Sequence, residues 1–420
     1  MNLKEKLARL EKSIEKEFKP IHQEIVSDEW IRTFENELKA KILTEKNSFI
    51  IFKENIYPLY KDFNLDSRNE NVYIFSKIGQ IAGLPELDSL NLRECLFIDL
   101  ETTGLAGGTG TYAFLIGVGH VELDHIIVRQ YVLPDFQHEW LALKHLQNAL
   151  LGYKYLISFN GKTYDIPLLR NRFILNRMVP NVDDLVHIDI LHIARRIWKR
   201  RLQTCDLQNL EYAILGRGRL NDIPGALIPQ IYFEYIRKRE ALLLRDVLEH
   251  NYHDIVNMII LTIKIGELVQ SPLKKFVHPE DLFSIAKYYY NQKNFKEAIP
   301  ILQYLAQTMP DTISGKESTF LLAMAKKRTG NSHQASHYMH QLLQSEKDHP
   351  LAIMELAKIY EHREKDLHSA LEVVNQGLKY IDFYEQLGKA SPLVKYKPDL
   401  EHRKRRLLRK LKQKNISKNY

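Results

Sequence analysis

The sequence predicts an α/β domain with a mixed sheet flanked by helices, followed by an all-α domain of repeated helix pairs. Two observations carry this. Between residues 93 and 200, short apolar runs bounded by turn residues alternate with helix-length amphipathic segments. Beyond residue 279, alanines recur with a period near 34 residues. The chain has 420 residues, room for two or three domains at roughly 100–200 residues each. With 45 % hydrophobic and 27 % charged residues it has the composition of a globular protein with ample core material.

Residues 1–45 read as helix, because Leu3, Leu7, Leu10, Ile14 and Phe18 recur at spacings of three and four with Lys and Glu between them. Residues 46–92 carry Pro58, Gly83 and Pro85 and read as irregular, so residues 1–90 form a helical and irregular lead-in. Cys95–Leu100, Tyr112–Val121 and His125–Leu133 read as three strands, the last two joined by a tight turn at Glu122–Asp124. The Gly-rich stretch Gly104–Gly110 separates the first two. A helix fits Glu139–Leu150, a strand Tyr155–Phe159, a helix about Pro167 to Arg177, a strand Leu185–Ile188 and a basic helix Leu191–Arg200. Three meandering strands, then helix, strand, helix, strand, helix, is the order of a ribonuclease-H-like fold. A long helix over residues 241–268 closes this domain, which is assigned residues 91–272.

Residues 278–400 form the repeat domain. Ala286, Ala323 and Ala357 lie 37 and 34 residues apart, Ala298 and Ala335 follow the first two by 12, and Ala370 follows the third by 13. Small residues at two fixed points of a 34-residue period, with helix breakers such as Pro310 and Pro350 between, mark tetratricopeptide repeats, and three units suffice to bury a continuous core. Tyr288, Tyr289 and Tyr360 read as packing residues of these helices.

The net charge of +8 is concentrated. Arg403, Lys404, Arg405, Arg406, Arg409, Lys410, Lys412 and Lys414 fall within twelve residues containing no acid, so residues 401–420 form a basic tail. Arg195, Arg196, Lys199, Arg200 and Arg201 form a second such run. Clustered cations suit a polyanion, because each neutralised phosphate releases counterions. The longest apolar runs, such as Met258–Ile263, are far too short to span a bilayer, and Met1–Lys16 has no apolar signal-peptide core, so a cytoplasmic protein without a membrane partner is expected. Two cysteines, Cys95 and Cys205, fit a reducing compartment and read as small core residues.

Four acids stand out. Asp99 and Glu101 end an apolar strand, and residues two apart on a strand share a face, so both carboxylates aim at one point. Adjacent anions raise each other's pKa unless a cation lies between them. Asp165 follows the next apolar strand after the turn Asn160-Gly161-Lys162-Thr163-Tyr164, at a helix start. On the long helix, His250 and Asp254 are four apart and share a face, whereas His253 lies off it. All-oxygen carboxylate clusters suit Mg²⁺ or Mn²⁺, and two such ions about 4 Å apart stabilise the attacking and leaving oxygens of a phosphodiester displacement. A neighbouring histidine can deprotonate the attacking water.

Asp99–Gly104, in the form Asp-x-Glu-Thr-Thr-Gly, resembles the first motif of DEDD exonucleases; Asn160–Asp165 is similar to the second and His250–Asp254 to the third. The resemblance implies two bound metal ions held by Asp99, Glu101, Asp165 and Asp254, His250 as general base, and removal of nucleotides from 3′ ends. One departure is that the histidine subgroup spaces its base five residues before the last Asp, where this chain has Glu249. Leu105–Tyr112, the segment from Asn209-Leu210-Glu211 to Asp222-Ile223-Pro224-Gly225, and the trailing repeats together resemble the YprB-like proteins over residues 90–390. These are bacterial ribonuclease-H-like exonucleases with C-terminal tetratricopeptide repeats, and the resemblance implies DNA as substrate and a role in DNA repair. RNA as substrate, or a non-catalytic nucleic-acid-binding scaffold, are the alternatives, and the repeats imply a protein partner.

Gly104–Gly110 is not a phosphate-binding P-loop, since no Gly-Lys-Ser/Thr follows. His187, Asp189 and His192 do not share a face of either a strand or a helix, so a structural role is expected, with Asp189 near the carboxylates. Lys162, Thr102, Asn160, Arg195, Arg196 and Lys199 are the candidate nucleic-acid contacts.

Overall fold

The computed structural model describes residues 28–59, 73–104, 110–219, 222–273 and 277–416. They group into two compact units. The first holds residues up to 73, then 91–189 and 211–261. Its centre is a seven-stranded sheet of β1 (Lys41–Glu45), β2 (Ser48–Pro58), β3 (Cys95–Thr102), β4 (Ala113–Glu122), β5 (His125–Val132), β6 (Tyr155–Ser158) and β7 (Val186–Asp189), in the spatial order β1-β2-β5-β4-β3-β6-β7. β3 pairs antiparallel with β4 and parallel with β6, and β6 pairs parallel with β7, which makes the sheet mixed as expected.

The lead-in is not helical and irregular throughout. A short helix, α1 (Asp28–Glu37), precedes a hairpin, β1–β2, that extends the sheet by pairing β2 against β5 from Ile51↔Val132 to Pro58↔His125. Polar Lys53, Glu54 and Asn55 interrupt the alternation of β2, and the tight turn carries no glycine; Lys46 itself adopts the left-handed conformation at φ 53°. Those two features hid the hairpin from a reading by periodicity. Of the helix expected over residues 1–45, residues 1–27 lie outside the described residues, as do residues 105–109 of the Gly-rich stretch; of the rest, Asp28–Glu37 is helical and Lys41–Glu45 is a strand instead.

Helices cover the sheet. α2 (Glu139–Leu150) and α3 (Asp165–Leu175) are tied by a buried ion pair: Arg172 Nε and Nη2 each donate to Glu139 at 2.6 Å. On a further helix, Ile228–Lys238, Tyr232 stacks on Phe114 at 3.9 Å between ring centroids and donates its hydroxyl to the Leu133 carbonyl. The long helix Arg245–Gln270 contributes residues 245–261 to this unit.

That helix approaches β4 over two glycines. A Cβ on Gly117 would stand 2.1 Å from Asn251 Oδ1 and one on Gly119 2.4 Å from Ile255 Cγ2, distances no real pair tolerates. Gly117→Ala is therefore expected to push the helix off the sheet and lower stability by about 1–3 kcal/mol through overpacking. A urea midpoint unchanged from the parent protein would refute this.

The second unit comprises residues 74–90, 190–210 and 262 onward. Ile190–Trp198 is a helix with Ile190, Ile193, Ala194, Ile197 and Trp198 buried. From Pro279 on, seven α-helices follow among the described residues: Pro279–Asn291, Phe295–Thr308, Ile313–Arg328, Ser332–Ser345, Pro350–Ile359, Leu367–Gln386 and Lys397–Ile416. Ala286, Ala298, Ala323, Ala335, Ala357 and Ala370 fall one to each of the first six, and all are fully buried. A side chain of one carbon at each contact lets neighbouring helices approach closely. The basic tail is not a separate extension, since through Ile416 it continues a helix that begins at Lys397. Cys95 and Cys205 are free and buried. Among the described residues no helix is long and apolar enough to cross a membrane.

Candidate active site

β3 ends at the site. Along it Phe97, Ile98 and Leu100 are buried, and the two carboxylates alternate with them at Asp99 and Glu101. A register shift between Glu101 and Thr102 stops the regular pairing with β4 at that point. Thr102 is itself buried and donates its hydroxyl to the Gly104 carbonyl at 3.1 Å.

Asp165 is delivered by the loop after β6. Asn160 takes the left-handed conformation at φ 64°, and the carboxylate of Asp189, at the end of β7, accepts from the N–H groups of Asn160 (2.9 Å) and Lys162 (3.1 Å). Gly161 leaves space that a Cβ would fill, 3.0 Å from Asp165 Oδ2 and 2.6 Å from Ser158 Oγ. Tyr164 donates to the Gly104 carbonyl at 2.6 Å, fastening this loop to the strand that carries Asp99. Asp189 thus positions the turn, as its place at the strand end suggested, and His187 meets Ser158 at 2.8 Å.

The helix from Arg245 supplies His250, Asn251 and Asp254. Asn251, fully buried, donates to Asp99 Oδ2 at 2.8 Å and accepts from Gln130 Nε2 at 2.9 Å. His250 is buried, with Nδ1 2.8 Å from Asp222 Oδ1 and Nε2 3.5 Å from Asp254 Oδ2. His253 is exposed. Arg219 binds Asp254, reaches Asp222 at 3.1 Å and Glu211 at 2.8 Å, and donates to the His250 carbonyl at 3.4 Å. His250, His253, Asp222, Arg217 and Tyr57 line a cleft of about 380 Å³.

Asp99 and Glu101 feel the other acids of the site. Burial raises the Asp99 and Glu101 carboxyls well above the usual carboxylate range. Repulsion adds to this: from Asp254 and Asp165 on Asp99, and from Asp99, Asp254 and Asp165 on Glu101. Burial, then Asp189, pushes Asp165 up to about 7. Such a set suits hard divalent cations, since every donor is oxygen and positive charge is what returns buried carboxylates to the ionised form. Among the described residues no three His, Cys, Asp or Glu side chains converge as the ligands of one ion do, so the fit is one of donor chemistry, burial and charge.

The Asp165 shift has a consequence for stability. Between the ordinary value of 3.8 and about 7, the folded chain holds a proton that the unfolded chain has released. Stability in the absence of metal therefore falls as pH rises through that window, and the full cost persists above it. Asp165→Asn is expected to raise the melting temperature in EDTA at pH 8 by roughly 5 °C, from a gain of a few kcal/mol. A melting temperature equal to or below the parent's would contradict it.

The remaining expected contacts divide. Lys162 and Asn160 are exposed on the turn beside Asp165. In the second unit Arg195 and Lys199 are exposed, whereas Arg196 donates to the Ile81 carbonyl at 2.7 Å and lies over the Tyr288 ring. Sequence reasoning missed Arg219, Asn251 and Gln130, and it quoted Glu211 and Asp222 only as part of a motif.

Residues 96–265 match the ribonuclease H superfamily, and the mixed sheet with flanking helices agrees with a domain of that class. The chain is 31 % identical over 346 residues to YprB of Bacillus subtilis (strain 168), covering 79 % of this chain and 81 % of that one. It belongs to the YprB family. The superfamily's nuclease-like domain supports nucleic-acid processing, and nucleases of this superfamily commonly use divalent metals.

Proposed function

We propose that the protein is a two-metal-ion 3′–5′ exonuclease that hydrolyses phosphodiester bonds in DNA. Asp99, Glu101, Asp165 and Asp254 bind the ions, and His250 is the general base. The observation that carries this is that Asp99 and Glu101, at the end of β3, are raised by burial and by the charges of Asp165 on α3 and Asp254 on the long helix. Two Mg²⁺ or Mn²⁺ would supply charge neutralisation at the attacking and leaving oxygens. Asn251 fixes the Asp99 carboxylate in place. Asp222 accepts from Nδ1 of His250, which sets the tautomer and leaves Nε2 as the proton acceptor on the side of Asp254.

Exposed Lys162 and Asn160, with Arg195 and Lys199, are the proposed contacts to phosphate, while Arg196 and Thr102 act through the protein interior. DNA as substrate and a role in DNA repair rest on the resemblance to YprB-like exonucleases, 3′ polarity on the resemblance to the DEDD motifs, and the cytoplasm on the two cysteines and the missing signal-peptide core. The six buried alanines support tetratricopeptide repeats that dock a protein partner.

End-labelled single- and double-stranded DNA and RNA, with Mg²⁺, Mn²⁺ or EDTA, test the reading. A metal-dependent ladder shrinking from the 3′ end of DNA is expected. Degradation of RNA alone would reassign the substrate, and binding without degradation of any strand would leave a nucleic-acid-binding scaffold.

A further inference from the structure

The helix Lys397–Ile416 divides its cations between two faces. Arg403, Arg406 and Lys410 all reach Glu361, whose side chain is fully buried, and Leu400 and Leu407 sink into the repeat core beside them. Burial alone would raise the Glu361 carboxyl, but the bonds from Arg406 and Lys410 outweigh it and hold it at about 2. The opposite arc carries Arg405, Arg409 and Lys412, all exposed, with half-exposed Lys404 at its edge. None of these four makes an ion pair among the described residues. At 1.5 Å per residue, Arg405 to Lys412 spans roughly 10 Å along the axis. Glu401 is the acid on this arc, one turn N-terminal to Arg405.

A polyanion fits this stripe, and its chemistry narrows further. A membrane-surface helix turns its apolar face to lipid. Here Leu400 and Leu407 face the protein core, and Leu408 is the exposed leucine among the cations. Three cations presented in series on a rigid, anchored helix match the regular charge of a phosphodiester backbone. We propose that the outward face of this helix, centred on Arg405, Arg409 and Lys412, is a second nucleic-acid-binding surface that grips the phosphate backbone without reading sequence and does not depend on the carboxylate cluster.

The test uses the full chain in EDTA, so that binding is read apart from any cleavage. Fluorescence anisotropy with a 30-nucleotide single strand and a 30-base-pair duplex is followed from 50 to 300 mM salt. For Arg405→Gln/Arg409→Gln/Lys412→Gln, the slope of log affinity against log salt is expected to fall by about 2–3, and affinity at 100 mM salt by roughly tenfold or more. Arg405→Lys/Arg409→Lys keeps the charge and should bind like the parent. Parental affinity and slope in the triple variant, with an unchanged circular dichroism spectrum, would overturn the proposal. So would a triple variant that keeps nucleic-acid binding but loses binding to polyglutamate or to anionic vesicles. Cleavage on the metal site is measured separately with Mn²⁺, so failure of the nuclease reading leaves this result intact.

Discussion

Asp99→Ala and Asp254→Ala are each expected to lower nucleolytic turnover by roughly 10³-fold or more, with the fold retained. The size follows from what is removed. Charge stabilisation by a paired metal site amounts to several kcal/mol, and each 1.36 kcal/mol of barrier is a factor of ten. Asp99 lies at the centre of the cluster, repelled by Asp254 and Asp165 and held by Asn251. On the proposed reading its loss removes one of the oxygen donors to the metal ions. Asp254→Ala does more, because it also removes one of the three carboxylates bound by Arg219 and leaves Nε2 of His250 without its carboxylate. Single-turnover cleavage of end-labelled strands, with circular dichroism to verify folding, decides the matter. Residual turnover within tenfold of the parent in either variant would remove that carboxylate from the chemistry.

Arg219→Met is expected to cost about 3–5 kcal/mol of stability, the range seen when one partner of a buried ion pair is deleted. The guanidinium serves Glu211, Asp222 and Asp254 together, and the Glu211 side chain is only 1 % exposed. Methionine fills much of the volume but leaves three carboxylates facing one another. Glu211→Gln in the same chain should recover part of the loss, so a double-mutant cycle isolates the pair. Urea unfolding is the measurement; a loss under 1 kcal/mol would mean that solvent already screens these charges.

Much of this arrangement was legible in the sequence. Asp99, Glu101, Asp165 and Asp254 each sit where a local rule places them, at a strand end, a helix start and a helix face, and the charges of Asp165 and Asp254 are felt at Asp99 and Glu101. Choosing His250 over His253 as the candidate needed only the helical period; in the structure His250 is buried against Asp222 and His253 is exposed. What local rules could not reach were partners distant along the chain. Asn251 meets Asp99 across 152 positions, and Gln130 meets Asn251 across 121. Gln130 was a visible signal, a glutamine on the strand face whose other members are Ile126, Val128 and Val132, but nothing local tells which helix satisfies it. The β1–β2 hairpin escaped for a different reason, since Lys53-Glu54-Asn55 break the alternation of β2 and the turn carries no glycine, while pairing with β5 holds β2 in the sheet.

The Glu361 anchor makes the two faces of the C-terminal helix answer differently to the solution around them. With its carboxyl held at about 2, the anchor stays ionised at any neutral or mildly acidic pH, and its contribution fades only as pH falls from the ordinary 4.5 toward 2. Being buried, it is also shielded from dissolved ions, whereas the outward cations lie within the ionic atmosphere. Raising the ionic strength should therefore release a bound strand from the outer face while the helix stays seated. The chain carries, in one helix, both a permanent rivet and a reversible clasp.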